Sequence, residues 1–143
     1  SSAASDVYKR QIYSIILLRM PENVELRLDD CQPFTLYTDR SRLTQVLTNL
    51  LTNAIKHTKK GYICFGYDVT EQEIRFYVTD TGEGIPDDQL ERVFDRFVKL
   101  TQWTNGVGLG LAISKALVTK LGGRIEVTSQ QGVGSTFSVI FPR

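Results

Sequence analysis

The chain has 143 residues, with 17 Lys or Arg against 16 Asp or Glu, which leaves a formal net charge of +1. Hydrophobic residues make up 41% and charged residues 23%, a composition typical of one folded domain with its own core. Such a chain has no overall field to attract nucleic acid or an anionic membrane, and no apolar run approaches the roughly 20 residues that cross a bilayer. We therefore expect one domain that contacts neither nucleic acid nor a membrane.

The first eleven residues, SSAASDVYKRQ, show no periodicity and lack the order of a signal peptide. They resemble translated sequencing-adapter read-through, so we expect residues 1–11 to be a non-native or disordered leader and residues 12–143 to be the domain. Cys31 and Cys64 have no metal-ligand spacing and are expected to be reduced thiols, which favours a cytoplasmic location.

The first elements surround one clear helix. Residues 12–18 are an apolar run that fits a helix end or a strand, and residues 24–28 and 34–38 are strand candidates. Asp39 is a good N-cap for a helix that runs to a stop at Gly61. Apolar residues recur along this helix at three- and four-residue steps, so one broad stripe must face a sheet.

Further strands and helices follow in an order that does not alternate strictly. The sequence predicts strands at 62–69, 74–79, 124–129 and 135–141, a short helix at 87–93 and a long helix at 108–121. Tight connections within the strand pairs indicate a mixed or antiparallel sheet with helices packed on one face.

A polar ledge lies beside the apolar stripe of the long helix. Asn49, Asn53 and Lys56 fall within an arc of roughly 60° when the helix is drawn at 100° per residue. Amide oxygens and a lysine suit a hydrated Mg²⁺ and a polyphosphate, because Mg²⁺ takes few protein oxygens and keeps water and phosphate ligands. Taken alone, the ledge also fits an ordinary solvated helix edge.

Two glycine-rich segments complete the candidate site. In DTGEGIP, Asp80 ends a strand, and Gly82 and Gly84 let the backbone turn close to a planar ligand whose exocyclic amine Asp80 could bind; a plain β-turn is the alternative. GVGLGL, beginning at Gly106, opens a helix whose N-terminus can face phosphate oxygens. Neither a preceding strand nor a Walker Lys-Ser accompanies it, which argues against Rossmann and P-loop sites.

Together NLLTNAIKHT, DTGEGIP, VFDRFVKL, GVGLGLAISKAL and GVGSTF, in this order, closely resemble the ATP-binding boxes of sensor histidine kinases. The resemblance covers about residues 12–143. It implies an α+β fold, the two-layer α/β sandwich of the Bergerat ATPases, with a mixed, mostly antiparallel sheet and helices on one face. It also implies ATP and Mg²⁺ as ligands.

The resemblance implies a role for each matching residue. Asn53 would coordinate Mg²⁺, Asn49 would support the phosphates or a water, and Lys56 would contact phosphate. Asp80 would bind the adenine amine, and His57 would pack near adenine. Arg96 would approach the γ-phosphate, although an exposed salt bridge is an equally good reading. The remaining expected nucleotide contacts are Gly82, Gly84, Ile85, Gly106, Val107, Gly108, Leu109, Gly110 and Thr136.

The implied reaction transfers the ATP γ-phosphoryl to a histidine on a separate dimerisation domain, with a response regulator as an indirect partner. No histidine with a nearby acidic residue precedes Asp39, so we expect a monomeric fragment that does not autophosphorylate alone. Two alternatives remain open: a protein-serine kinase of the anti-sigma type, and an inactive nucleotide-binding regulatory module.

Overall fold

The computed structural model describes residues 5–29, 32–95 and 109–143. Over these residues the helices and strands follow one another as α1 (Ser5–Leu17), β1 (Val24–Leu28), α2 (Arg40–His57), β2 (Gly61–Val69), β3 (Glu73–Asp80), α3 (Asp87–Leu90), α4 (Leu109–Lys120), β4 (Arg124–Gln130) and β5 (Gly134–Pro142). In this part of the chain no helix is both long and apolar enough to span a membrane.

The strands form a five-stranded sheet in the order β1-β2-β3-β5-β4. Only the β1–β2 pair is parallel, and the other three pairs are antiparallel. Helices α2 and α4 pack against each other and against this sheet. The predicted α+β class with a mixed, mostly antiparallel sheet is therefore confirmed.

Helix α2 begins where the N-cap signal predicts. The carboxylate of Asp39 accepts a hydrogen bond from the backbone N–H of Arg42 across 3.2 Å, which satisfies one free donor of the first turn. The apolar stripe is buried as expected against the sheet face that carries Ile63, Phe65 and Val78. The buried α2 residues are Leu43, Val46, Leu47, Leu50, Leu51 and Ala54. Burial of this stripe fixes which side of α2 is left for the polar ledge.

Helix α1 differs from the expectation for the start of the chain. Residues 5–11, expected within a non-native or disordered leader, are helical and continuous with residues 12–17, for which helix and strand were both open. Tyr8, Ile12 and Ile16 are buried at four-residue steps, and the hydroxyl of Tyr8 lies 2.8 Å from that of Thr44 on α2. The leader's origin stays a prediction, but Tyr8 and Lys9 within it are buried against the domain.

Two predicted elements are shorter than expected. Residues 34–38 form no continuous strand, and within them only Tyr37 makes an isolated β-bridge. Phe34 packs into an aromatic cluster, with its ring centroid 4.6 Å from that of Tyr67 and 5.6 Å from that of Phe76. Side-chain packing of Phe34 thus holds this segment where a continuous strand ladder is absent among the described residues. The helix predicted at 87–93 ends at Leu90 and continues as turns.

Candidate functional site

The polar ledge forms on α2 as the periodicity predicts. Asn49 and Asn53 lie one turn apart and are half-buried, and Lys56 is exposed near the end of the helix. Asn53 makes no side-chain hydrogen bond with the described residues, which leaves its amide available to a ligand. The two amides therefore lie where a ligand seated beside α2 can reach them.

The start of α4 is joined to this ledge by a buried serine. The amide Nδ2 of Asn49 lies 3.3 Å from Oγ of Ser114, whose hydroxyl in turn donates to the carbonyl of Gly110 across 2.8 Å. Gly110 is in the first turn of α4. The asparagine ledge and the N-terminal turn of α4 are thus parts of one hydrogen-bonded arrangement.

Asp80 ends β3 and is almost fully buried, at 5% exposure for the whole residue. The backbone N–H of Gly82 donates to its Oδ1 across 2.9 Å. Desolvation raises the pKa of Asp80 above its ordinary 3.8, and hydrogen bonds from the backbones of Gly82 and Ser135 oppose the rise. A buried carboxylate with remaining acceptor capacity suits one strong, desolvated hydrogen bond to a ligand donor.

The loop after Asp80 packs against the last residue of α2. The N–H of Glu83 donates to the carbonyl of His57 across 3.3 Å, and a Cβ on Gly82 would lie 2.3 Å from that same oxygen. Gly84 has φ of +70°, and a Cβ there would lie 2.2 Å from the carbonyl of Gln130. Both predicted glycines therefore stand where a side chain does not fit.

His57 closes the contact between the loop and α2. Its Nδ1 lies 2.8 Å from Oε1 of Glu83, with 7% of the imidazole and 47% of the glutamate side chain exposed. Burial lowers the pKa of His57 below 6.5, and Lys56 adds to this, whereas Glu83 opposes it. An open cavity of about 410 Å³ borders the pair and is lined by Lys56, His57, Lys59, Lys60, Thr81, Gly82 and Glu83.

In the β3–β5 ladder Ser135 lies opposite Asp80, and Thr136, an expected nucleotide contact, lies opposite Thr79. Ser135 pairs with Asp80 in the β3–β5 register, whereas the hydroxyl of Thr136 lies 2.9 Å from that of Thr79. Successive side chains on a strand point to opposite faces, so Thr136 shares its face with Thr79 and not with Asp80. Because residues two apart on a strand share a face, the core residue Phe137 indicates that Ser135 is on its side of the sheet.

The family follows from a match along most of the chain. Residues 38–143 match the model of the histidine kinase-, DNA gyrase B-, and HSP90-like ATPases. The chain belongs to this ATPase family. Its curated relatives include the sensor protein SrrB of Staphylococcus aureus, 44% identical over 110 residues that cover 73% of this chain and 19% of the relative. The chain therefore spans about a fifth of the relative's length.

Solved structures of the same ATPase family agree in fold. The mycobacterial sensor histidine kinase MprB matches with a TM-score of 0.85 and 25% identity, over 99% of this chain and 97% of that one. Full-length ShkA in complex with AMPPNP matches with a TM-score of 0.86 and 33% identity, over 99% of this chain and 31% of that one. The chain is thus an ATPase domain of this family that is similar to the domains of sensor histidine kinases.

Several residues expected to form this family's nucleotide pocket lie outside the described residues. Arg96, Gly106, Val107 and Gly108 are among them, and Leu109 begins α4. Ile85 is fully buried in the core, and its N–H donates to Oγ of Ser129 across 2.7 Å. Ile85 thus supports the loop from inside the domain. Ser114 and Ser135 lie within the quoted motifs and near the site, but they were not among the expected site residues.

Proposed function

We propose that this domain transfers the γ-phosphoryl group of Mg-ATP to a histidine on a separate dimerisation domain of its parent kinase. The observation that carries the proposal is the buried carboxylate of Asp80, held by Gly82 in a loop that is hydrogen-bonded to the end of α2. That helix carries the half-buried amides of Asn49 and Asn53. A base-recognising acceptor and a phosphate-facing ledge are thereby held on neighbouring elements.

Each residue of the site has one role in this proposal. Asp80 accepts a hydrogen bond from the adenine amine, His57 packs beside the base, and Lys56 contacts phosphate. Asn53 supplies an amide oxygen to Mg²⁺, and Asn49 orients the phosphates or a metal-bound water. Half-buried amides with one free oxygen suit Mg²⁺, which binds few protein oxygens and retains water and phosphate ligands.

The reaction itself requires little covalent chemistry from the protein. The bond between the γ-phosphorus and its bridging oxygen breaks, a bond from an imidazole nitrogen to phosphorus forms, and ADP leaves. Mg²⁺ held by Asn53 would supply positive charge to the phosphate oxygens, while the protein holds the donor in position. A response regulator in the cytoplasm then receives the phosphoryl group from the histidine.

A protein-serine kinase of the anti-sigma type is the second candidate, since it would use the same ATP site on a different acceptor. The sensor-kinase relatives favour histidine as the acceptor. An inactive nucleotide-binding module is the third candidate. Because Asp80 would bind the base in such a module as well, only an assay of phosphoryl transfer separates it from the two kinases.

The test supplies the chain with radiolabelled Mg-ATP and the histidine-bearing helical domain of its parent kinase. We expect an acid-labile, base-stable phosphoprotein that forms only when both are present. Asn53→Ala should reduce transfer at least about tenfold, since a metal oxygen is lost. Thr52→Ala is the matched control, because the Thr52 hydroxyl bonds only to carbonyls of its own helix.

Each other outcome selects another function. Acid-stable phosphoserine on a partner protein selects the serine kinase. Tight ATP binding with no transfer to the cognate helical domain selects the regulatory module. Absence of ATP binding rejects all three.

A further inference from the structure

Ser114 is a fully buried polar residue on α4, with 0% exposure. It stands one helical turn after Gly110 and directly beside Asn49 of α2. Its contacts therefore connect the two helices that border the proposed phosphate region. A buried hydroxyl can orient the groups that it bonds to, because water does not compete for its hydrogen bonds.

The hydrogen bonds of Ser114 fix which atom of Asn49 faces it. A serine hydroxyl has one proton, and here that proton is donated to the carbonyl of Gly110 across 2.8 Å. Towards Asn49, 3.3 Å away, Ser114 can therefore act only as an acceptor. The asparagine must present its Nδ2, the donor end of the amide, to the serine.

This arrangement leaves the amide oxygen of Asn49 turned away from Ser114. In the described part of the chain, this oxygen makes no hydrogen bond to a side chain, because the bond to Ser114 is made by Nδ2. Without Ser114 the two flipped orientations of the Asn49 amide would have nearly the same free energy. The oxygen would then point to the ligand for only part of the time. An amide oxygen is the end that bonds a metal-bound water.

We propose that Ser114 is a positioning residue that orients the Asn49 amide towards the hydrated Mg²⁺ of bound Mg-ATP. The inference rests on the proposed function and adds a residue to its machinery. It also couples the ledge to the first turn of α4, because the same hydroxyl bonds to Gly110. Ser114 acts through Asn49 and does not itself touch the nucleotide.

The competing explanation is a purely structural serine. A hydroxyl bonded to the carbonyl four residues earlier is common in helices, and Thr119 makes the same bond to Lys115 across 2.9 Å on the exposed side of α4. Thr119 therefore serves as a matched control on the same helix. A structural role for Ser114 would change the thermal stability of the protein without a specific effect on Mg-ATP.

The experiment measures affinity for ATP by calorimetry, with Mg²⁺ and with EDTA, for wild type, Ser114→Ala, Ser114→Cys and Thr119→Ala. Ser114→Cys keeps the side-chain volume and loses the strong acceptor, so it remains informative if the alanine variant folds poorly. We expect both Ser114 variants to bind Mg-ATP about fivefold to tenfold more weakly, the effect of one hydrogen bond. ATP in EDTA should be affected less than about twofold, and Thr119→Ala should match wild type.

A double-variant comparison decides whether Ser114 acts through Asn49. In the Asn49→Ala background, the Ser114 changes should weaken Mg-ATP binding by less than about twofold further, because the residue they orient is gone. The same fivefold to tenfold loss in both backgrounds, or a shift in melting temperature alone, overturns the proposal. If wild type does not bind Mg-ATP, the proposed function has failed. If wild type binds Mg-ATP and the Ser114 variants bind it with the same affinity, this inference alone has failed.

Discussion

The imidazole of His57 and the carboxylate of Glu83 lie 2.8 Å apart, and the backbones of the same two residues share a 3.3 Å hydrogen bond. This double contact fastens the loop that follows Asp80 to the last residue of α2. One of its two bonds involves a titratable imidazole, so the attachment responds to pH. The backbone bond is independent of protonation.

We expect the free energy of unfolding to decrease as the pH falls below 6.5, partly because of His57. Burial, aided by Lys56 and opposed by Glu83, lowers the pKa of His57 in the folded state below its ordinary 6.5. The unfolded chain then binds the proton more readily, so acidification favours unfolding. Above 6.5 the effect is absent, and it grows until the pH reaches the folded-state pKa. Chemical denaturation at several pH values measures it.

His57→Gln supplies the control for the pH experiment, since glutamine can still bond to Glu83 but does not titrate. Its stability should depend less on pH below 6.5 than that of wild type. Asp80 changes the free energy of unfolding in the opposite direction on acidification, because its folded-state pKa lies above 3.8 and the folded protein binds that proton more readily. An unchanged pH dependence in His57→Gln would contradict the assignment.

Asp80→Asn should separate stability from nucleotide binding. Desolvation is the largest influence on the pKa of Asp80, so the ionised carboxylate costs folding free energy at neutral pH. Asparagine keeps an oxygen for the N–H of Gly82 and removes the buried charge, so the melting temperature should equal or exceed that of wild type. ATP binding should weaken about 10- to 100-fold, because a charge-assisted acceptor is lost. Calorimetry and thermal unfolding measure the two effects, and a parallel loss of both would argue for a structural Asp80.

The sequence predicted what depends on local pattern. The three- and four-residue steps of α2, the N-cap Asp39 and the strand predicted at 74–79 each follow from neighbours within one element. The glycine requirement at Gly82 was also predictable, since a strand followed by DxGxG demands a close turn. These features were enough to predict the fold class and to place the candidate site on the sequence.

The rest depends on partners that are distant in the chain. Ser114 reads as an ordinary helix residue until the fold brings Asn49 beside it from 65 positions away. The motifs gave no sign that Ser135 would lie opposite Asp80, because that pairing depends on the register of two strands that are distant in the chain. Residues 34–38 have strand-like composition, but aromatic packing and not a ladder holds them. Tertiary contacts decided each of these cases.

Tyr8→Ala should destabilise the domain by about 2–4 kcal/mol, as large-to-small core changes do. Tyr8 is 3% exposed and bonds to Thr44, so it belongs to the folded unit although it lies in the suspected leader. Tyr8→Phe, which removes only the hydroxyl, should cost about 1 kcal/mol. Arg10→Ala on the exposed side is the control. A silent Tyr8→Ala in denaturant unfolding would mean that the first residues do not pack on the domain in solution.

Gly110→Ala should stabilise the protein without nucleotide while weakening its binding of ATP. Among the described residues, nothing lies within 4 Å of a Cβ built on Gly110, and alanine favours a helix by about 0.5–1 kcal/mol. Since no described residue requires glycine there, we expect a ligand at the first turn of α4 to be what alanine would obstruct. Gly82→Ala provides the contrast, because its Cβ would meet the carbonyl of His57 at 2.3 Å and should destabilise the protein itself.

The two glycine variants are compared by thermal unfolding with and without Mg-ATP. For Gly110→Ala we expect a higher melting temperature without nucleotide and a smaller upward shift on adding Mg-ATP, since stabilisation by a ligand grows with its affinity. For Gly82→Ala the melting temperature without nucleotide should already be lower. A full ligand-induced shift in Gly110→Ala would show that the nucleotide does not approach the first turn of α4 closely, and the proposed phosphate contact at that turn would then have to be withdrawn.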